Sequence, residues 1–251
     1  MNTLDGRVAI VTGGNGGIGL GIADALAEAG ADLAIVGTNA EKNASATAAV
    51  ARHGRRVLSL LCSVTDEEQV ITTFDEIIHS LGRVDIVVAN AGVHNSSPSL
   101  DLELAEWQQV LDVNLTGSFL TMREGARRLV ELGEGGSMFA VSSVAAIHGA
   151  ARAAHYAASK AGTLALVRTF AVEFAKHRIR VNALLPGWTD TDLTARSLSS
   201  DKLRATTIGR TPMGRWGEPA DYGATAVYLA NPAHVFHTGD VVTVDGGYSV
   251  F

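Results

Sequence analysis

The sequence predicts an α/β fold, a doubly wound, mostly parallel seven-stranded sheet with helices on both faces. Three observations predict it. Short β-branched runs alternate with longer Ala- and Leu-rich segments of helical period along the whole chain. The early strands are apolar nearly throughout, the pattern of a parallel sheet covered on both sides. No linker or shift in composition divides the 251 residues, so one domain spanning 1–251 is expected.

The first strand is "RVAIVT" at 7–12, followed by a helical pattern over about 17–29 and a second strand, "DLAIVG", at 32–37. A helix over about 40–53 leads to "RVLSLLC" at 56–62. The next helix, about 66–81, opens on "TDEE", a capping residue with acids in the first turn. After "VDIVVAN" at 84–90, "SSPSLDLEL" gives the same entry chemistry to a long helix over about 103–131. "GSMFAVSS" (136–143), a helix over about 155–176, "IRVNALL" (179–185), a helix over about 219–230 and "DVVTVDG" (240–246) complete the series. Right-handed crossovers join such parallel strands. The stretch 186–218 breaks the rhythm, with Pro and Gly at both ends, and reads as a lid or binding loop.

Composition narrows the function. The hydrophobic fraction is 47%, enough for a substantial core, and the 18% of charged residues form no single-sign block. With a formal net charge of −6 and the 20 basic residues scattered, neither a nucleic acid nor an anionic membrane is an expected partner. No apolar run approaches the ~20 residues of a membrane span. The opening "MNTLDGRVAIVTGG" matches neither a signal nor a transit peptide. Cys62 is the single cysteine, which rules out an intrachain disulfide and makes a cytoplasmic location the expectation. His234 and His237 stand at ligand spacing but in a Pro/Ala loop with no third ligand near, so no metal site is expected.

Directly after the first strand comes "TGGNGGIG" at 12–19. It parses as G-x-G-x-x-G on Gly14, Gly16 and Gly19, or as T-G-x-x-x-G-x-G on Gly13, Gly17 and Gly19. Glycines there let the backbone turn tightly against a pyrophosphate, whose charge meets free N–H groups at the helix start. Its place at the first strand–helix junction points to a dinucleotide site of the Rossmann type. The end of the second strand reads "VGTNAEK". Gly37, Thr38 and Asn39 offer neither a carboxylate for a ribose diol nor an arginine for a 2′-phosphate, although Lys42 is close. NAD(H) and NADP(H) both stay open.

The sequence "YAASK" at 156–160 places a tyrosine and a lysine one turn apart on a helical face, with only small side chains between. A free phenol titrates near ~10, but a neighbouring ammonium favours phenolate. Bringing Tyr156 down by about 3 units takes roughly 4 kcal/mol, which close charges in a dry cleft supply. The pair is therefore a candidate acid–base device.

Together with "ANAG" (89–92), "VSS" (141–143) and "LLPGWTDT" (184–191), these motifs resemble the short-chain dehydrogenase/reductase family in order and spacing over essentially the full chain. "GRWGEPAD…VDGG" (214–247) is similar as well. The resemblance implies that Tyr156 is the general acid/base, that Lys160 lowers its pKa and bonds the nicotinamide ribose, that Ser143 bonds the substrate carbonyl, and that Asn114 holds a water in a proton relay to Lys160. It implies cofactor contacts from Gly13, Asn15, Gly17, Ile18 and Gly19, from Gly37, Thr38 and Asn39, and from Ser63 and Val64. Further contacts come from Asn90, Ala91 and Gly92, from Tyr156 and Lys160, and from Pro186, Gly187, Thr189 and Thr191. Ser63 departs from the acid often found there, and Gly37 and Thr38 supply neither common specificity residue. In reduction, Tyr156 would give its proton to the developing alkoxide while Ser143 bonds the same oxygen, with no metal needed. No G-x-S-x-G elbow surrounds Ser143, which excludes a serine hydrolase.

Substrate contacts are expected from His94, Ser143, His148, Arg152 and Trp188, with Arg152, one helical turn before Tyr156, gripping a carboxylate at two points. The pattern resembles the sugar-acid branch, gluconate and ketodeoxygluconate dehydrogenases. A 3-oxoacyl-carrier-protein reductase and a non-catalytic cofactor-binding scaffold are the alternatives. Resemblance also implies a homotetramer, with the helices at 103–131 and 155–176 paired between subunits.

Overall fold

The computed structural model describes residues 3–194 and 201–251. Its sheet has seven parallel strands in the order β3-β2-β1-β4-β5-β6-β7. In chain order these are β1 (Val8–Thr12), β2 (Asp32–Gly37), β3 (Val57–Leu61), β4 (Ile86–Ala89), β5 (Gly136–Val141), β6 (Ile179–Pro186) and β7 (Val241–Val244). The helices between them are α1 (Gly17–Glu28), α2 (Ala40–Ala51), α3 (Glu67–Leu81), α4 (Leu104–Leu111), α5 (Gly117–Leu132), α6 (Ala154–Phe174), α7 (Asp201–Gly209) and α8 (Gly223–Ala230).

Strand alternation divides the core in two. In β1, Val8 and Ile10 face one layer while Ala9 and Val11 face the other. β5 repeats the division, with Met138 and Ala140 against Phe139 and Val141. One layer gathers Phe74, Ile77, Met122, Leu129, Val167 and Phe170 from α3, α5 and α6; the other gathers Ile22, Leu26, Val50, Ala226 and Leu229 from α1, α2 and α8. Apolar residues on both faces of each strand are what two covering layers require.

Two expected elements differ in detail. The long helix expected over 103–131 is interrupted between α4 and α5 by a π turn, Asp112–Thr116. Gly117 follows because a Cβ there would lie 2.5 Å from Val64 Cγ2, and the Ser118 hydroxyl donates to Asn114 O at 2.6 Å. The stretch 186–218 holds a short helix, α7, and its residues 195–200 lie outside the described residues. No helix among the described residues is long and apolar enough to cross a membrane.

β1 lies between β2 and β4, and the chain leaving β1 into α1 and the chain leaving β4 toward α5 go to opposite faces of the sheet. Such a switch point opens a crevice outside the carboxyl ends of the strands. The glycine turn and the segment after β4 meet there.

Candidate active site

Asn90 builds the floor of the crevice. Its side-chain amide donates to Thr12 O at 2.9 Å and to Gly13 O at 3.1 Å, and Thr12 Oγ1 accepts from the Asn90 and Ala91 amides. The glycine turn is packed onto this floor: a Cβ on Gly19 would lie 2.2 Å from Gly13 O and 2.4 Å from Asn90 Nδ2. Gly13 and Gly17 have φ of 64° and 50°, the left-handed region. α1 starts from Gly16 with no side-chain cap and no acid in its first turn, so its leading N–H groups remain for an anion. The residues present thus fit a dinucleotide pyrophosphate.

A single cleft runs from this turn to the start of α6. It is lined by Gly13, Asn15, Gly17, Ile18, Gly19, Asn90, Ala91 and Gly92, and by Ser143, Tyr156, Lys160, Pro186, Gly187, Thr189 and Thr191. Lys42, Val141, Ser142, Asp192, Leu193 and Thr194, none of them among the expected contacts, line it as well. Gly37, Thr38, Asn39, Ser63 and Val64 stand outside the lining, at or just beyond the ends of β2 and β3. Asn39 is occupied in capping α2, its Oδ1 accepting from Lys42 N at 2.9 Å, and Ser63 Oγ bonds Thr65 Oγ1 at 2.8 Å.

The Tyr156 end is assembled from four elements. Helical spacing on α6 puts Tyr156 and Lys160 on one side, with Lys160 Nζ 5.8 Å from the phenol ring centre. Lys160, 4% exposed, donates to Val141 O at 2.8 Å. Asn114, fully buried in the π turn, accepts from Val93 N at 2.8 Å and donates to Val93 O and Ser159 Oγ. Asn114 and Lys160 converge on Gly92, where a Cβ would stand 3.3 Å from Asn114 Oδ1 and 3.5 Å from Lys160 Nζ.

The electrostatics differ from the simple expectation. Burial pushes Tyr156 above the usual tyrosine value, with a hydrogen bond to Ser143 pulling the other way. Burial pushes Lys160 down to about 8. Lys160 faces a backbone carbonyl and stands over the ring rather than at the hydroxyl, so desolvation outweighs the expected lowering of the phenol. In this state the phenol holds its proton.

The expected substrate residues separate into two groups. His94 packs against Tyr156 with ring centres 4.7 Å apart, and burial holds its imidazole below the usual value. His94 Nδ1 and His148 Nε2 are buried without a hydrogen-bond partner among the described residues. Arg152, outside the helix expected over 155–176, stands in the turn that precedes α6 with φ 65°, its Nε donating to Ser96 Oγ at 3.2 Å, and it is not among the cleft-lining residues. Trp188 turns away from the cleft and stacks on Trp216, ring centres 5.3 Å apart, beside a second, smaller pocket. No group of three or more metal-ligating side chains occurs among the described residues. His234 packs on Tyr228, and His237 Nε2 bonds Asp240 Oδ2 at 2.9 Å.

A parallel doubly wound sheet with a glycine-lined crevice at its switch point, ending on a tyrosine and a lysine, defines a nicotinamide-dependent oxidoreductase. A family model described as enoyl-(acyl carrier protein) reductase matches residues 13–249. The chain is 34% identical over 246 residues to 2-dehydro-3-deoxy-D-gluconate 5-dehydrogenase of Escherichia coli, covering 98% of this chain and 96% of that protein. It is 32% identical over 245 residues to the 3-oxoacyl-[acyl-carrier-protein] reductase of Aquifex aeolicus, covering 97% and 98%. A solved structure from Agrobacterium tumefaciens, provisionally assigned as a 2-deoxy-D-gluconate 3-dehydrogenase with bound NADP, superposes with a TM-score of 0.91 at 31% identity, covering 99% and 98%. The chain belongs to the short-chain dehydrogenase/reductase family, and it is an NAD(P)-dependent enzyme acting on CH–OH groups.

Proposed function

We propose that this enzyme interconverts a secondary alcohol and a ketone on a sugar acid or polyol, with Tyr156 as general acid/base and Ser143, Lys160 and Asn114 in support. The convergence of these four residues at one end of the glycine-lined cleft carries the reading. When bound, the nicotinamide supplies or accepts the hydride. In the reducing direction Tyr156 hands its proton to the carbonyl oxygen as negative charge grows there, and the Ser143 hydroxyl donates to the same atom. Lys160, whose ammonium titrates at about 8, passes a proton toward the phenol from the Asn114 side, where the two side chains meet beside Gly92. Arg152 forms no ion pair among the described residues, which leaves its guanidinium for a substrate carboxylate. His94 and His148, each with a buried nitrogen that finds no partner among the described residues, would bond substrate hydroxyls.

The whole chain would act as one domain, in the cytoplasm, as a homotetramer. Likeness to the Aquifex aeolicus reductase supports reduction of a 3-oxoacyl thioester as the second reading. A panel of sugar acids, polyols and acyl thioesters, followed by nicotinamide absorbance, separates the two. Turnover of acyl thioesters alone would overturn the sugar-acid assignment.

A further inference from the structure

The mouth of the cleft is crossed by an ion pair that the catalytic reading leaves unused. Lys42 Nζ, from the first turn of α2, lies 2.6 Å from Asp192 Oδ2, in the segment after β6. Both side chains are largely exposed, 54% and 86%, so the bridge contributes no more than about 1 kcal/mol and opens readily. Of the described residues lining the cleft, Lys42 and Lys160 are the cations and Asp192 is the sole carboxylate. Lys160 stands at the Tyr156 end. Lys42 is then the single cation beside the end of β2, where a doubly wound fold places the adenosine ribose.

That strand end is closed to an acid. A Cβ on Gly37 would lie 2.3 Å from Asn15 Nδ2 and 2.7 Å from Asn43 Oδ1, two groups already joined by a 2.7 Å hydrogen bond. Asn39 is committed to its capping bond, and Glu41, one residue before Lys42, is not among the cleft-lining side chains. Among the described residues that line the cleft, the strand end itself supplies no carboxylate to bind a ribose diol, and the one acid near Lys42 is Asp192, on the other side of the cleft.

We infer that Lys42 is the 2′-phosphate contact of an NADP(H)-preferring site, and that Asp192 holds this ammonium until the phosphate displaces it. Cofactor entry then frees the segment Thr189–Thr194 from α2, which couples occupancy of the adenosine end to the loop beside Tyr156. The inference rests on the dinucleotide reading of the cleft. A phosphate offers the ammonium more charge and more acceptor oxygens than the single carboxylate it replaces.

The test is calorimetric titration of the full chain with NADPH, NADH, 2′,5′-ADP and 5′-ADP, without turnover. The unsubstituted enzyme should bind NADPH about tenfold or more tightly than NADH, as one charge-assisted contact predicts. Lys42→Met should weaken NADPH and 2′,5′-ADP by about tenfold while moving NADH and 5′-ADP less than about twofold. Asp192→Asn should tighten NADPH several-fold, and only while Lys42 is present, so that the gain vanishes in the double variant. Equal losses on NADH and NADPH, an NADH-preferring parent, or an Asp192→Asn gain that survives in the Lys42→Met background would each overturn the inference. If neither dinucleotide binds the parent, the reading of the cleft fails as well.

Discussion

Tyr156 is held protonated by its surroundings and Lys160 is held close to losing its proton, and both tendencies arise from the same burial. Tyr156→Phe should cut turnover by about 10²–10⁴-fold, with NAD(P)H affinity in calorimetry unchanged. Because oxidation requires the phenolate, its rate should climb through the alkaline range while the reduction rate falls; parallel pH profiles in both directions check this. Lys160 also links stability to pH. Its folded value of about 8 lies below the ~10.4 of an unfolded lysine, so between those limits the unfolded chain binds more protons and stability rises with pH. The cost of the buried ammonium is fully present below about pH 8. Lys160→Met should therefore be more stable than the parent at pH 7, on the order of 2 kcal/mol after the lost bond to Val141 O is deducted. Urea melts should show the gap closing as pH approaches ~10.4. The Tyr–Lys pairing is visible from spacing alone. The depth that reverses the expected electrostatics is not, because it comes from β5 and the segment after β4, far away in the chain.

At the scale of elements, Asn114 shows what a pattern of apolar spacing misses. The helix expected over 103–131 contains no proline, and no local signal marks the π turn that carries Asn114 into the interior. The turn places its amide against Val93, between β4 and α4, where it satisfies both backbone groups of that residue. Asn114→Ala leaves those half-buried groups unpaired, and should cost about 1–3 kcal/mol in a denaturant titration as well as slowing turnover. The glycine turn behaves differently, because its strand–turn–helix context was legible from residue order. There Gly19→Ala forces a methyl against Gly13 O and Asn90, and NAD(P)H binding should be lost in calorimetry before the fold is. Residue order places Arg152 ahead of the helix but carries no signal for the left-handed turn in which it stands.

For the whole molecule, sheet order follows from crossovers between strands, which were readable because β1, β2 and β4 are apolar nearly throughout and buried along their whole length. What one residue row could not display was the cross-cleft pairing of Lys42 with Asp192, 150 positions apart. Assembly belongs to this scale too. Light scattering on the eluted protein should give a tetramer rather than the 26.1 kDa of one chain, and a monomer with full activity would remove the expected pairing of the α4–α5 and α6 surfaces from the account.

The stacked indoles of Trp188 and Trp216 give the enzyme an optical reporter of its own. They are two of its three tryptophans, Trp188 lies one residue from cleft-lining Thr189, and Trp216 is anchored to α7 through Thr207. Any change in that stack on ligand entry would alter the intrinsic emission and the near-ultraviolet dichroism, so loop movement can be followed in real time without attaching a dye.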